Sequence, residues 1–385
     1  MTKIKVLEVI RQGQIGGGES HLLDLVTFLD KERFEPVCLS FTSGEMITRF
    51  EAMGVKCFVI DTLSPFDVKI QKQIIQLIRD EHVQLIHAHG SRAASNMVYP
   101  ARKLHIPFIY TVHGWSFHDD QNTLVCQLRQ WSEKLICKMA DRVICVSHSN
   151  ADTGQQRFGL KDAIVIENGI NLVKFNPEGH FKNLRESFGF VSDDFVMGYI
   201  ARCTKQKAPL DFLEAVRQAH HHNSNIKGLF VGEGDMDADV DAFIDAHQMK
   251  SYVFRSKFRT DIPDLLHSIN VYCLPSLWEG LSIALLEAMA MGKAIVATPT
   301  DGTKEVIEHE KDGLLIPYSQ PGVLADATLR LYNDITLYEQ CGQSARQLVA
   351  QRFNAQRVSD SVGKIYCEFL KSNALKKSSA YRCLL

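Results

Sequence analysis

The sequence predicts an α/β protein of two doubly wound domains, each a parallel sheet covered by helices on both faces. Three observations lead there. Short apolar runs alternate with segments of helical period almost from the first residue, the pattern of repeated βα units. The alternation lapses once, across 171–185, in a polar stretch carrying Pro177 and Gly179, a composition suited to an interdomain link. The 385 residues exceed one ordinary domain and allow two, each able to bury its own core.

In the first half the strand-like runs fall at 4–10, 36–40, 56–60, 85–87, 108–112, 142–146 and 163–166, with helical segments between them. The second series falls at 195–200, 228–231, 252–254, 271–274, 294–298 and 314–316. Beyond Tyr318 the pattern is helical to about Lys371, and the basic end at 376–385 is expected to fray. The domains therefore read as 1–175, a linker at 176–190, a second domain at 191–352, and a C-terminal helical segment and tail at 353–385. That last segment is free to pack back on the first domain. Doubly wound sheets bind ligands at the carboxyl ends of their strands, so two in tandem are expected to hold a ligand in the crevice between them.

Composition narrows the function. Hydrophobic residues at 45% and charged residues at 23% are the proportions of a soluble globular protein. A formal net charge of −2 leaves no electrostatic footprint for nucleic acid, which is excluded as a partner. No run approaches the roughly 18 to 20 apolar residues of a spanning helix, and the first eleven residues read as a strand rather than a signal peptide. The expected location is the cytoplasm. The ten cysteines are scattered singly, without a C-x-x-C pair or a Cys/His cluster at zinc spacing, and are expected to be free thiols. Cys383 is third from the end, one place off the prenylation pattern.

The loops that follow strands carry the residues with candidate chemistry. Gly16-Gly17-Gly18-Glu19 comes soon after the first strand and opens a helical segment. Glycines there let backbone amides approach a phosphate or sugar, and a helix N-terminus favours an anion; a plain tight turn uses the same residues equally well. The loop after the first strand of the second domain carries Arg202 and Lys207, able to clamp a diphosphate and to stabilise negative charge growing on it, or to be a solvated turn.

The most informative segment runs from Trp278 through Glu279, Gly280, Leu281 and Ser282 to Glu287 and Gly292. Residues 282–291 are good helix formers with a clear stop at Gly292. Eight helical positions rise about 12 Å, so Glu279 and Glu287 are able to reach opposite ends of an extended ligand, with N-terminal amides between them for phosphates. As an isolated pair they also read as a first-turn acid favouring the helix dipole and an exposed helix residue. Glu287, however, interrupts an apolar stretch, where a carboxylate needs a polar partner. In the first domain His87 and His89 follow one strand and His113 another, with Gly114 allowing close approach. Loop histidines are more often structural, and His113 is the one aimed at the crevice. His220-His221-His222 ends a helix and reads as solvated rather than metal-binding.

Jointly these residues resemble the retaining glycosyltransferases of family 4, which have the GT-B architecture of two Rossmann-like domains facing each other across a cleft. The resemblance spans nearly the whole chain, through Gly16–Gly18, 165–170, Arg202 and Lys207, Gly232-Glu233-Gly234, and Glu279 to Glu287 continuing to Thr298. It implies that Glu279 with the backbone of Gly280, Leu281 and Ser282 holds the donor sugar and phosphate, and that Glu287 binds the ribose. Arg202 and Lys207 would hold the diphosphate in place of a metal ion, the Gly16–Gly18 loop would close over the donor, and His113 would contact the sugar or polarise the reaction centre. Two departures are Ser282, in place of the glycine common after the first glutamate, and Asp301-Gly302-Thr303, in place of a glycine pair.

The implied activity is metal-independent, cofactor-free, retaining transfer of a sugar from a nucleoside diphosphate sugar, UDP-sugar favoured. The implied acceptor is a glycan or lipid-linked glycan of surface polysaccharide biosynthesis. Front-side displacement, in which the leaving phosphate helps deprotonate the acceptor, needs no separate protein base. The stretch 124–139, where Arg129, Lys134 and Lys138 accompany Trp131 and leucines, suits peripheral contact with the inner membrane face or a packed helix with a basic rim. The alternatives are a nucleotide-sugar epimerase of the same fold and a non-catalytic nucleotide-sugar-binding partner.

Overall fold

The computed structural model describes residues 3–14, 16–117 and 122–382. The chain divides into two units, Met1–Gly169 with Ala355–Leu385, and Ile170–Asn354. Each is built around one all-parallel sheet.

In the first unit the strands are β1 (Ile4–Ile10), β2 (Phe34–Ser40), β3 (Lys56–Val59), β4 (Leu85–His89), β5 (Phe108–Val112), β6 (Arg142–Cys145) and β7 (Ile164–Val165). They lie in the order β3-β2-β1-β4-β5-β6-β7. The second unit has β8 (Phe195–Ile200), β9 (Ile226–Val231), β10 (Val253–Ser256), β11 (Val271–Leu274), β12 (Ala294–Ala297) and β13 (Leu314–Leu315), in the order β10-β9-β8-β11-β12-β13. Both orders reverse direction once, between β1 and β4 and between β8 and β11. At such a reversal the following loops splay to opposite faces and leave a crevice at the strands' carboxyl ends.

Helices cover both faces of each sheet, which is why the central strands are apolar on both sides. In the first unit one face packs Leu7, Val9 and Ile86 against Ile74, Met97 and Ile136. The other packs Val6, Ile10 and Leu85 against Leu22 and Leu25 of the helix Gly17–Phe28, and against Val362, Ile365 and Tyr366 of the last helix, Ala355–Arg382. The C-terminal helix thus completes the first unit's second layer.

Two boundaries differ from the sequence reading. Residues 176–190 are packed onto the second unit rather than forming a free link. Phe188 and Phe190 are buried in its core and Phe181 packs against it, and the Arg185 guanidinium donates to the carbonyls of Ser268 (3.0 Å) and Asp194 (3.1 Å). Aromatic residues spaced through a polar stretch supply that anchoring without any regular period. His87 and His89 lie within β4 rather than after it, because polar side chains continue the strand where buried partners satisfy them. Cys383 lies outside the described residues, and the cysteines within them are free.

Candidate active site

In the second unit, the loops after β8 and β11 flank the reversal of strand order and are tied together by their own backbone. The Gln206 carbonyl accepts from Leu277 N (2.8 Å), and its amide Nε2 donates to the Trp278 carbonyl (2.8 Å). This brings Lys207, in the 3-10 turn Lys205–Lys207, against Glu279: Lys207 Nζ and Glu279 Oε1 form an ion pair with both side chains about nine-tenths out of solvent. Ser276 Oγ also donates to Glu279 Oε1 at 3.4 Å. Burial and the nearby Arg202 guanidinium push the Lys207 ammonium down to about 7. The carboxylate in contact with it works the other way and favours the charged form.

Arg202 itself is exposed. Its carbonyl accepts from the Tyr199 hydroxyl (3.0 Å), and Cys203 N donates to the Glu233 carbonyl (2.9 Å), pinning this loop to Gly232-Glu233-Gly234 after β9. Gly232 has φ +152°, and a Cβ there would stand 1.8 Å from the Ala201 carbonyl oxygen, so only glycine fits.

Residues 279–282 form a loop, and the helix begins after it, as Ile283–Ala290. Glu279 and Glu287 are therefore not eight positions along one helix; only Glu287 is helical. Ser282, the departure from the family pattern, is the N-cap, its side chain accepting from Leu285 N at 3.4 Å, a role that suits serine better than glycine. Glu287 is half-buried, and after burial its carboxylate is what raises the Tyr272 phenol most. Gly302, in the second departure from the family pattern, packs against the loop 279–282. Its N donates to the Glu279 carbonyl (3.4 Å), and a Cβ there would meet the Gly280 oxygen at 2.1 Å. The Asp301-Gly302-Thr303 segment thus supports the loop that carries Glu279, Gly280 and Leu281.

In the first unit the glycine loop opens a twelve-residue helix, Gly17–Phe28, whose N-cap Gly16 offers no side-chain cap. Gly18 stands over the His113 ring, where a Cβ would lie 3.8 Å from its Cδ2. His113, just past β5, belongs to a cluster. Its Nε2 is 3.2 Å from His89 Nδ1, and the His21 ring packs edge-on at 4.9 Å between centroids.

Behind it, His89 Nε2 meets Glu8 Oε2 at 3.0 Å. Tyr366 donates to Glu8 Oε1 (2.8 Å) and its oxygen is 2.6 Å from His87 Nδ1, while His87 Nε2 lies 2.7 Å from Thr111 Oγ1. Glu8, His87 and His89 share one sheet face because Glu8 pairs with His87 and Ile10 with His89 in register. Burial lowers His21 to about 3, helped by His89 and His87. It lowers His89 to about 4, helped by His87 and opposed by Glu8. Burial, then His21 and His89, also push His113 well below the usual range. For Glu8, burial acts upward, but His87 and His89 overcome it and hold the carboxyl below its ordinary range.

Among the described residues, His21, His89 and His113, and likewise Glu8, His87 and His89, place ligand-type atoms within 4.8 Å of one another. A hydrogen-bonded partner accounts for each of Glu8, His87 and His89 as they stand. The signal for Glu8 was present in the sequence as a lone acid within an apolar strand; nothing local marked Tyr366. His220 is structural, its ring stacked on Tyr252 at 3.8 Å and its Nδ1 2.8 Å from the Ile226 carbonyl.

Residues 15–174 match the family model described as Glycosyltransferase Family 4, and residues 180–348 that described as Glycosyl transferases group 1. The Escherichia coli UDP-Gal:alpha-D-GlcNAc-diphosphoundecaprenol alpha-1,3-galactosyltransferase is 26% identical, over 96% of this chain and 98% of its own length. The Campylobacter jejuni N,N'-diacetylbacillosaminyl-diphospho-undecaprenol alpha-1,3-N-acetylgalactosaminyltransferase is 27% identical, over 84% of this chain and 91% of its own. HepE of Anabaena, solved in complex with UDP and glucose, superposes with a TM-score of 0.83 at 20% identity, covering 94% of this chain and 99% of that one.

Proposed function

Because the chain belongs to the family 4 and group 1 glycosyltransferases and has the GT-B fold, we propose that it moves a sugar from a UDP-sugar to a lipid-linked glycan, with retention of configuration and without a metal ion. The observation that carries this reading is the buried Lys207–Glu279 pair beside Arg202 at the second unit's strand reversal. It holds one cation out of solvent next to a second, where a diphosphate needs two. On donor binding the two partners separate their tasks: Lys207 and Arg202 take the diphosphate, and Glu279 takes hydroxyls of the sugar.

As the sugar C1–O bond breaks, both electrons leave with the phosphate, and fixed cations in a dry site stabilise that charge without reorganising. The acceptor hydroxyl bonds to C1 on the same face and its proton passes to the departing phosphate oxygen. Glu287, half-buried on the helix Ile283–Ala290, is the residue for the ribose. The E. coli and Campylobacter relatives act, by their names, on diphosphoundecaprenol-linked sugars, and this supports the acceptor class.

A membrane-face acceptor is also supported by the helix Thr123–Met139. It buries Cys126, Glu133, Ile136 and Cys137 and exposes Leu124, Leu128 and Trp131 at helical spacing, with Arg129, Lys134 and Lys138 exposed beside them. Apolar residues flanked by cations suit an anionic interface. Among the described residues, no helix is long and apolar enough to cross a membrane.

The test is transfer from a panel of UDP-hexoses and UDP-N-acetylhexosamines to polyprenyl-diphosphate-linked sugars in anionic vesicles, with EDTA throughout. The reading expects one donor to give an elongated lipid-linked product of retained anomeric configuration by NMR, and protein that sediments with the vesicles. Isomerised donor without transfer would instead indicate an epimerase, and a product formed only with added divalent metal would remove the metal-free claim.

A further inference from the structure

We propose that Glu8 and His89 form a buried relay that fixes His113 in a single tautomer, protonated at Nε2 and bare at Nδ1, with Tyr366 of the C-terminal helix holding the relay in place. The inference rests on the reading that His113 touches the donor sugar.

Glu8 is fully buried and ionised, so both its oxygens only accept. Oε1 takes the Tyr366 hydroxyl proton at 2.8 Å. Oε2, at 3.0 Å from His89 Nε2, can only be met by an N–H. Burial keeps His89 neutral at physiological pH, and a neutral imidazole with its proton on Nε2 has an unprotonated Nδ1. That Nδ1 faces His113 Nε2 at 3.2 Å. It can be satisfied only by an N–H there, which leaves Nδ1 of His113 as the lone-pair atom.

The titratable groups facing His113 are His21 from the glycine-loop helix and His89 and His87 from β4, with Glu8 of β1 behind them in contact with His89. None but Glu8 carries a negative charge to set the direction of the chain. Tyr366 matters because its oxygen meets both Glu8 and His87 (2.6 Å). The same helix seals this face of the sheet with Val362 and Ile365, so the carboxylate stays dry and its direction is imposed on His89. The chemistry follows: a bare Nδ1 accepts from a neutral hydroxyl and does not donate to an anion. His113 is thereby suited to a neutral hydroxyl, as a sugar carries, and not to an anion.

Glu8, His89 and Tyr366 are positioning residues. The test combines long-range 1H–15N spectra of histidine-labelled protein, assigned with His113→Ala, and turnover for Glu8→Gln, His89→Leu and His89→Asn, each checked for cooperative melting. In the wild type the expected spectrum has His113 protonated at Nε2. Glu8→Gln, whose amide is free to donate to His89, is expected to mix or reverse that tautomer and to lower kcat by about tenfold or more with little change in KM. His89→Leu is expected to do the same, and His89→Asn, whose carbonyl oxygen accepts in place of Nδ1, to restore most of the loss.

An unchanged His113 spectrum and unchanged kcat in Glu8→Gln, with His113→Ala still inactive, would overturn the relay while sparing the role of His113. A Glu8-dependent tautomer with His113→Ala fully active would uphold the relay and reject the role. If Glu8→Gln does not fold, the two His89 variants decide: equal losses in both would overturn the relay.

Discussion

The ammonium of Lys207 and the carboxylate of Glu279 are in direct contact, although they come from loops on two different strands of the second sheet. Each neutralises the other out of solvent. Removing one member leaves the other charge buried and unpaired, which costs several kcal/mol.

Glu279→Gln is expected to keep the fold, because the amide is isosteric, and to lose about a hundredfold or more in turnover, roughly 2.7 kcal/mol of barrier. Steady-state kinetics with the identified donor check it. Turnover within a factor of two of the wild type would remove Glu279 from the reaction.

The same substitution has a signature in pH. Burial and Arg202 push Lys207 down to about 7, and in Glu279→Gln no carboxylate opposes them. A lowered lysine loses its charge as pH rises through that value, so the variant's affinity for UDP is expected to fall between pH 7 and 9, up to about tenfold per unit. The wild type, with the ammonium held by Glu279, is expected to change less over that range. Parallel pH profiles for the two proteins would contradict this assignment.

How far this site was legible from sequence depends on what each residue needed. Lys207, Glu279 and Ser282 stand in strand-to-helix loops, where strand order alone brings them together, so a correct reading of alternation was enough. Gly302 was legible only as a departure, since what it does is steric: it lets the backbone after β12 close on Gly280, in the loop after the neighbouring strand β11. Glu8 and Tyr366 act through pairing across β1, β4 and the last helix. No local period encodes that pairing. The packed stretch 176–190 misled because polar composition describes its surface and not the phenylalanines that anchor it.

Gly302→Ala tests the steric argument. A Cβ 2.1 Å from the Gly280 oxygen has to move the loop of Glu279 and Gly280, since neither partner is a flexible side chain. The expected outcome is a raised KM for the donor and a loss of about 1–3 kcal/mol in stability, read by kinetics and by urea unfolding. An unchanged KM would show that the loop's position does not bear on donor binding.

The histidine cluster makes the first unit acid-sensitive. His21 and His89 are lowered to about 3 and about 4 in the folded state from about 6.5 when unfolded. Their contribution to stability is therefore complete above pH 6.5 and is lost as pH falls towards 4. Between pH 6.5 and 5 the loss is about 2 kcal/mol for each. Unfolding followed by urea at pH 7.5 and pH 5 is expected to show it, with a smaller difference in His21→Leu. Equal midpoints at the two pH values would contradict buried neutral histidines.

The most direct test of the central claim, that this chain binds its donor's diphosphate with protein cations, is calorimetric titration of UDP into the wild type and Lys207→Met in the presence of EDTA. The account predicts saturable binding by the wild type and a loss of about tenfold to a hundredfold in affinity in the variant, the 1.5–3 kcal/mol of a charge-assisted contact. Binding by the wild type that appears only when magnesium or manganese is added, or that is unaltered in Lys207→Met, would contradict it.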